Sequence, residues 1–363
     1  MEGFFRYIGP SEFGSAAEQG EILQRGAPGP HTGPTLADLS VDHLSLLLGH
    51  LHAHSIGALW FCGSSMLNWK LKRSSALKEL DFDVRRFARL AWPSLAREFD
   101  RLESLSITHC RCLTVSAAQI LSLPRMLKKL KLHLFDIQPI VLALTQEPEQ
   151  FSLLEELSLG AHSLKIRETT ETAQFSTQEE AIWFHSLSRT LRILEIFTPI
   201  HLHSSSTLRK LPPNLTRLHL FLGNTGLLYD SDKTEEEEEE EEVPLTLPTT
   251  LTDLTMYFNY AELPTMDRSV KEQTLPLLRA LPKDLLHLSS NLVFSLPYQN
   301  NDCEHMTLLP RGLLTLDMNS FRTAQPSPCH LTKRALALLP PNLTKLRCYT
   351  AHSFDTALCS LLP

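Results

Sequence analysis

A short pattern, Leu-x-x-Leu-x-apolar, recurs about ten times along this chain, its first leucine falling at Leu77, Leu102, Leu127, Leu154, Leu191, Leu215, Leu251, Leu285, Leu313 and Leu343. Within each copy the apolar residues have the alternation of a brief strand with one buried face. No single copy can bury its own leucines, so the copies must stack and close one another's exposed faces. Successive first leucines are 24 to 37 residues apart. The shorter spacings suit a strand followed by a helix or a looser connection, and the longer ones require insertions. The pattern therefore predicts an α/β solenoid whose parallel strands line one face. At 42% hydrophobic but only 7% aromatic, the chain draws its core mainly from leucine, as stacked repeats do.

Three copies carry nearly the same lead-in: Leu211-Pro212-Pro213-Asn214-Leu215-Thr216, Leu247-Pro248-Thr249-Thr250-Leu251-Thr252 and Leu339-Pro340-Pro341-Asn342-Leu343-Thr344. Leu123-Pro124, Leu281-Pro282 and Leu309-Pro310 open others. These features resemble leucine-rich repeats, and the Leu-Pro-x-x-Leu form is similar to repeats of amoebozoan proteins and of a class of bacterial effector ligases. The resemblance implies a leucine-rich-repeat horseshoe whose x positions face solvent on the concave side. The residue six after the first leucine is Phe197, Phe221 and Tyr257 in three successive repeats and Tyr349 in the last, a stripe that could anchor a protein partner or merely pack within itself. Leucine-rich repeats often carry a turn-bonding asparagine eight residues past the first leucine. Only Asn259 stands there, so most turns must be satisfied in another way.

Charge identifies the insertions. Removing the eight glutamates of Glu235 to Glu242 from the net charge of -7 leaves +1, which predicts no general affinity for nucleic acid. That run repels itself and holds water, so residues 229–246 read as an acidic loop. The polar stretch Glu168 to Thr172 accounts similarly for the gap between Leu154 and Leu191. No apolar stretch approaches the length needed to span a bilayer. The seven scattered cysteines and the lack of an apolar opening segment predict a reducing, cytoplasmic or nuclear setting. The chain stops at Ser360-Leu361-Leu362-Pro363, where another lead-in would begin, so we expect a truncated product.

Ahead of the repeats, residues 1–34 are rich in Gly, Pro, Ser and Glu and predict a disordered tail. Residues 35–75 read as a helical module. Leu39-Ser40-Val41-Asp42 is followed by Leu44, Leu47, Leu48 and Leu51 at helical spacing, then by Ile56, Leu59 and Cys62, the turn Gly63-Ser64, and Met66. This order resembles an F-box, with Ser40 where the family has proline and Trp69 arriving late for its closing tryptophan. The resemblance implies a substrate-recognition adaptor of an SCF-type ubiquitin ligase. A Skp-type adaptor would dock on Leu39, Leu44, Leu47, Leu48, Leu51 and Ile56, while the concave face of repeats 76–363 would hold an unknown protein substrate. A plainer alternative is a non-catalytic scaffold in which these helices only cap the first repeat.

Residues that could carry chemistry are sparse, and we expect no enzyme, no cofactor and no metal. His50 and His54 share a helical face but lack a third ligand. Cys110-Arg111-Cys112 is spaced too tightly for a zinc knuckle. Cys303, between Asp302 and Glu304, has neighbours that would raise rather than lower its pKa. Glu155-Glu156 falls on solvent-facing positions of a strand.

Overall fold

The computed structural model describes residues 39–48, 77–83, 101–108, 115–134, 137–161, 183–201, 205–224, 245–258, 275–290, 304–318 and 336–347. Ten strands run through it in chain order: β1 (Glu79–Asp83), β2 (Ser104–Thr108), β3 (Lys129–Leu134), β4 (Glu156–Ala161), β5 (Ile193–His201), β6 (Arg217–Asn224), β7 (Asp253–Phe258), β8 (His287–Ser290), β9 (Thr315–Asp317) and β10 (Lys345–Arg347). They form one parallel sheet in which each strand pairs only with its neighbours in sequence. Each repeat thus contributes one strand, and the strands stack side by side as a parallel-stranded solenoid.

Register follows the ladder. Leu80, Leu105, Leu130, Leu157, Leu194, Leu218, Leu254, Leu288, Leu316 and Leu346 stand opposite one another across the sheet. All are buried except Leu346, which is partly so, and the first leucine of every copy lies two residues before its strand and is also buried. These side chains join a single continuous apolar core. Helical segments close its other side: α2 (Ala117–Leu121) and α3 (Gln138–Gln146), with 3-10 turns at Pro148–Phe151, Ser205–Lys210 and Glu304–Leu308. Ser116 caps α2 with a capping box, its Oγ accepting from Gln119 N–H while Gln119 Oε1 accepts from Ser116 N–H. From α3 come Ile140, Val141, Ala143 and Leu144, all buried.

The proline lead-ins are turns. The backbone N–H of Leu215, Leu251, Leu285, Leu313 and Leu343 donates to the carbonyl of Pro212, Pro248, Pro282, Pro310 and Pro340, three residues earlier. A proline just after a helical turn also stops it, because it has no N–H to continue the ladder. The residue just ahead of the first leucine bonds the preceding repeat in four copies. Thr250 Oγ1 donates to the carbonyls of Pro213 and Leu215, and Thr190 Oγ1 to those of Ser152 and Leu154. Asn214 and Asn342 reach the carbonyls of Arg189 and Arg311. Two residues on, Thr216, Thr252 and Thr344 bond the carbonyls of Arg192, Thr216 and Leu314, which also accept backbone N–H groups. In these three copies the Asn/Thr-Leu-Thr sequence therefore stitches a repeat to the one before it.

Charge adds a second register device. Just ahead of the first strands, Lys78, Glu103 and Lys128 lie side by side, with both lysine Nζ atoms 2.8 Å from the Glu103 carboxylate. Their hydrogen bonds, Lys128 first and Lys78 next, lower the Glu103 pKa from 4.5 to about 2. A lowered carboxylate pKa stabilises the fold above its unfolded value, and that contribution disappears as pH falls from 4.5 towards 2. Glu103→Gln should therefore flatten the loss of Tm across this window relative to the wild-type chain. Parallel curves in acid melting would show that the pair carries no folding energy.

Before the first strand, α1 (Val41–Leu48) begins at Ser40, whose Oγ accepts from the His43 N–H while its carbonyl accepts from Leu44 N–H. Ser40 is thus an N-cap, and Asp42 in the first turn complements the helix dipole. Leu44 is fully buried within the core that holds Leu77 and Leu80, and Leu39 and Leu47 pack against it. The predicted tail, residues 49–75 and the glutamate run lie outside the described residues.

Candidate functional site

Because strand side chains alternate, burying Leu80, Leu105 and their counterparts turns the residues between them to the opposite, solvent-facing side of the sheet. On the middle strands this outer face carries a chain of rings. His133 on β3 meets Phe197 on β5 edge-on at 5.6 Å between centroids, Phe197 meets His219 on β6 at 4.5 Å, and His219 meets Tyr257 on β7 at 6.2 Å. The chain skips β4, where Gly160 stands opposite His133. A Cβ at Gly160 would lie 3.1 Å from His133 Cδ2 and 3.2 Å from Cγ, so the imidazole occupies the space a side chain would need.

The predicted aromatic residues are placed unequally. Phe197 is 41% exposed, the one large apolar side chain among the described strands with such exposure. Phe221 is half-buried and stands opposite Tyr257 in register. Tyr257 is buried, and its hydroxyl is 2.6 Å from Ser289 Oγ on β8. Tyr349 lies outside the described residues. Phe197 and Phe221 do not share a row, because the pairing of β5 with β6 passes from Ile196↔Leu220 to Pro199↔Phe221, leaving Phe197 and Thr198 as extra residues. Pro199 cannot donate to the ladder, and such residues gather at bulges. The bulge tilts Phe197 out of the regular row and towards His133 and His219.

His133, Gly160 and His219 were not expected at the site. A signal for two of them was present, since His133 and Gly160 also lie six residues after a first leucine. His219 lies at four and is found only through register. Desolvation lowers its pKa from 6.5 to about 4, against the opposing pull of Asp253, so the imidazole is uncharged at neutral pH. Asp253 itself pairs with Arg217 at 3.3 Å, and Glu156 with Lys129 at 2.8 Å. Burial raises the Tyr257 hydroxyl, partly offset by the Ser289 bond.

Of the leucines that resemble an adaptor-docking set, Leu44 is interior and Leu39 and Leu47 face the core. The Leu48 side chain, Leu51 and Ile56 lie outside the described residues, as do His50, His54, Cys110, Cys112, Asn259 and Cys303. Among the described residues no three His, Cys, Asp or Glu side chains converge on a possible metal position. None of the described helices is long and apolar enough to cross a membrane.

Neither protein-family models nor the curated proteins give a match to this chain. Among solved structures, the leucine-rich repeat-containing protein LegL7 from Legionella pneumophila is similar at 14% identity and a TM-score of 0.37, covering 78% of this chain and 90% of that one.

Proposed function

We propose that this protein is a non-catalytic binding scaffold whose outer sheet face holds a protein ligand. The observation that carries the reading is the ring chain His133–Phe197–His219–Tyr257, which spans five strands and leaves Phe197 open to solvent. A rigid aromatic anchor of this kind contributes contact area at little entropic cost, and the solenoid behind it is already ordered. Photo-crosslinker placed at Thr255 on this face should capture one partner, and placed at Gln138 on α3 it should not. Equal labelling from both positions would refute the reading.

The finer step, that residues 35–75 recruit a Skp-type adaptor to an SCF ubiquitin ligase, is supported by the apolar spacing of Leu39, Leu44, Leu47, Leu48, Leu51 and Ile56. The interior position of Leu44 instead favours a cap over the first repeat. The two are separated by mixing the full chain with a purified Skp-type adaptor. Stoichiometric binding abolished by Leu47→Asp in a folded chain supports recruitment, whereas no binding, with Leu44→Ala lowering Tm, assigns the segment to capping.

A further inference from the structure

The middle of the outer face is unfinished in one place. On β4, Ser158 and Gly160 are both buried and small, flanked in register by Lys131 and His133 on β3 and, beside Ser158, by Glu195 on β5. Glu195 in turn stands opposite His219 on β6. Ser158 is only 7% exposed, yet its Oγ has no hydrogen-bond partner. That oxygen is enclosed beneath the face, so it is not itself a contact for a ligand. Glu195 is also alone. Glu156 and Asp253 nearby are neutralised by Lys129 and Arg217, whereas the Glu195 side chain has no ion pair or hydrogen bond among the described residues.

We infer that this part of the face is a receptor for an arginine side chain of the protein ligand, pairing with Glu195 and stacking on Phe197. The inference rests on the reading that the outer face binds protein. A guanidinium fits because it alone combines a planar surface for a ring with a fork of donors for a carboxylate. Lysine offers one point charge and no plane. His219, uncharged at neutral pH, does not repel a cation. Lys131 does, since it is exposed and unpaired among the described residues two strands from Glu195. It is the one group on this stretch that would draw an acidic ligand instead.

The test uses the full chain with Glu235 to Glu242 replaced by glutamine, so that the acidic run does not attract basic peptides by itself. Fluorescent peptides of alternating glycine with arginine, lysine or glutamate are titrated by anisotropy at physiological salt. The arginine peptide should bind about tenfold tighter than the lysine peptide, and Glu195→Gln should weaken it about tenfold. Phe197→Ala should weaken it several-fold, while Lys131→Met tightens it. All variants should first show the parent's melting transition. Equal binding of the two basic peptides, or indifference to Glu195→Gln, would overturn the inference, as would preference for the glutamate peptide that Lys131→Met abolishes. If the partner captured from Thr255 is retained by Glu195→Gln, the arginine site fails while the face remains a binding surface. If arginine binds through Glu195 and Thr255 captures nothing, the receptor stands and the protein-ligand reading fails.

Discussion

Leu218→Ala is expected to destabilise the protein by about 3 kcal/mol, whereas Leu346→Ala should cost about 1 kcal/mol or less. The two leucines hold the same rung of the ladder, but Leu218 is fully buried between β5 and β7 and Leu346 is only partly buried on β10. Truncation at the centre removes methyl groups that both neighbouring repeats press against, and strands held on both sides cannot collapse into the void. Stability in a stacked array is a sum of intrinsic and neighbour terms, so a central defect weakens two interfaces and a terminal one weakens fewer. Urea denaturation followed by circular dichroism gives both values. Equal costs would show that the repeats do not divide their stability in this way. A second transition appearing only in Leu218→Ala would show that the array splits at the defect.

The contrast between these leucines shows where the sequence was legible. Position within the ladder identified which side chains face inward, because period-two burial admits one register and a slip of one residue would expose the whole set. The Leu-Pro-x-x-Leu lead-in was legible as a recurring unit but not as a chemical device. That Asn214 and Thr250 bond the preceding turn depends on how far one repeat is offset from the next, which no single copy encodes. The aromatic stripe keeps a constant six-residue offset in the sequence, and that rule holds for Phe221 and Tyr257, which stand opposite each other in register. It loses Phe197 at the Pro199 bulge, where two extra residues break the count. His219 escaped because half-burial by neighbouring rings, rather than its own local sequence, sets its environment. Ser40, a departure from the F-box pattern, is explained locally as a helix cap.

Gly160→Val should cost about 2 kcal/mol and disconnect the binding face from its anchor. The backbone here is an ordinary strand with no left-handed φ, so glycine is required for space alone. A Cβ would meet two atoms of the His133 ring at 3.1 and 3.2 Å, and the branched methyls of valine must displace that ring further. His133 then leaves the edge of Phe197, and Phe197, carried on a bulge rather than a regular strand, loses one of the two rings that hold it. Two measurements follow from this chain of contacts. Urea denaturation should show the loss of stability, and His133→Ala in the same background should restore most of it by vacating the space. Crosslinking from Thr255 should fall in the single variant and stay low in the double one, because removing His133 relieves the clash without rebuilding the support for Phe197. Full recovery of both stability and capture in the double variant would mean that the ring chain packs the surface but does not position the anchor.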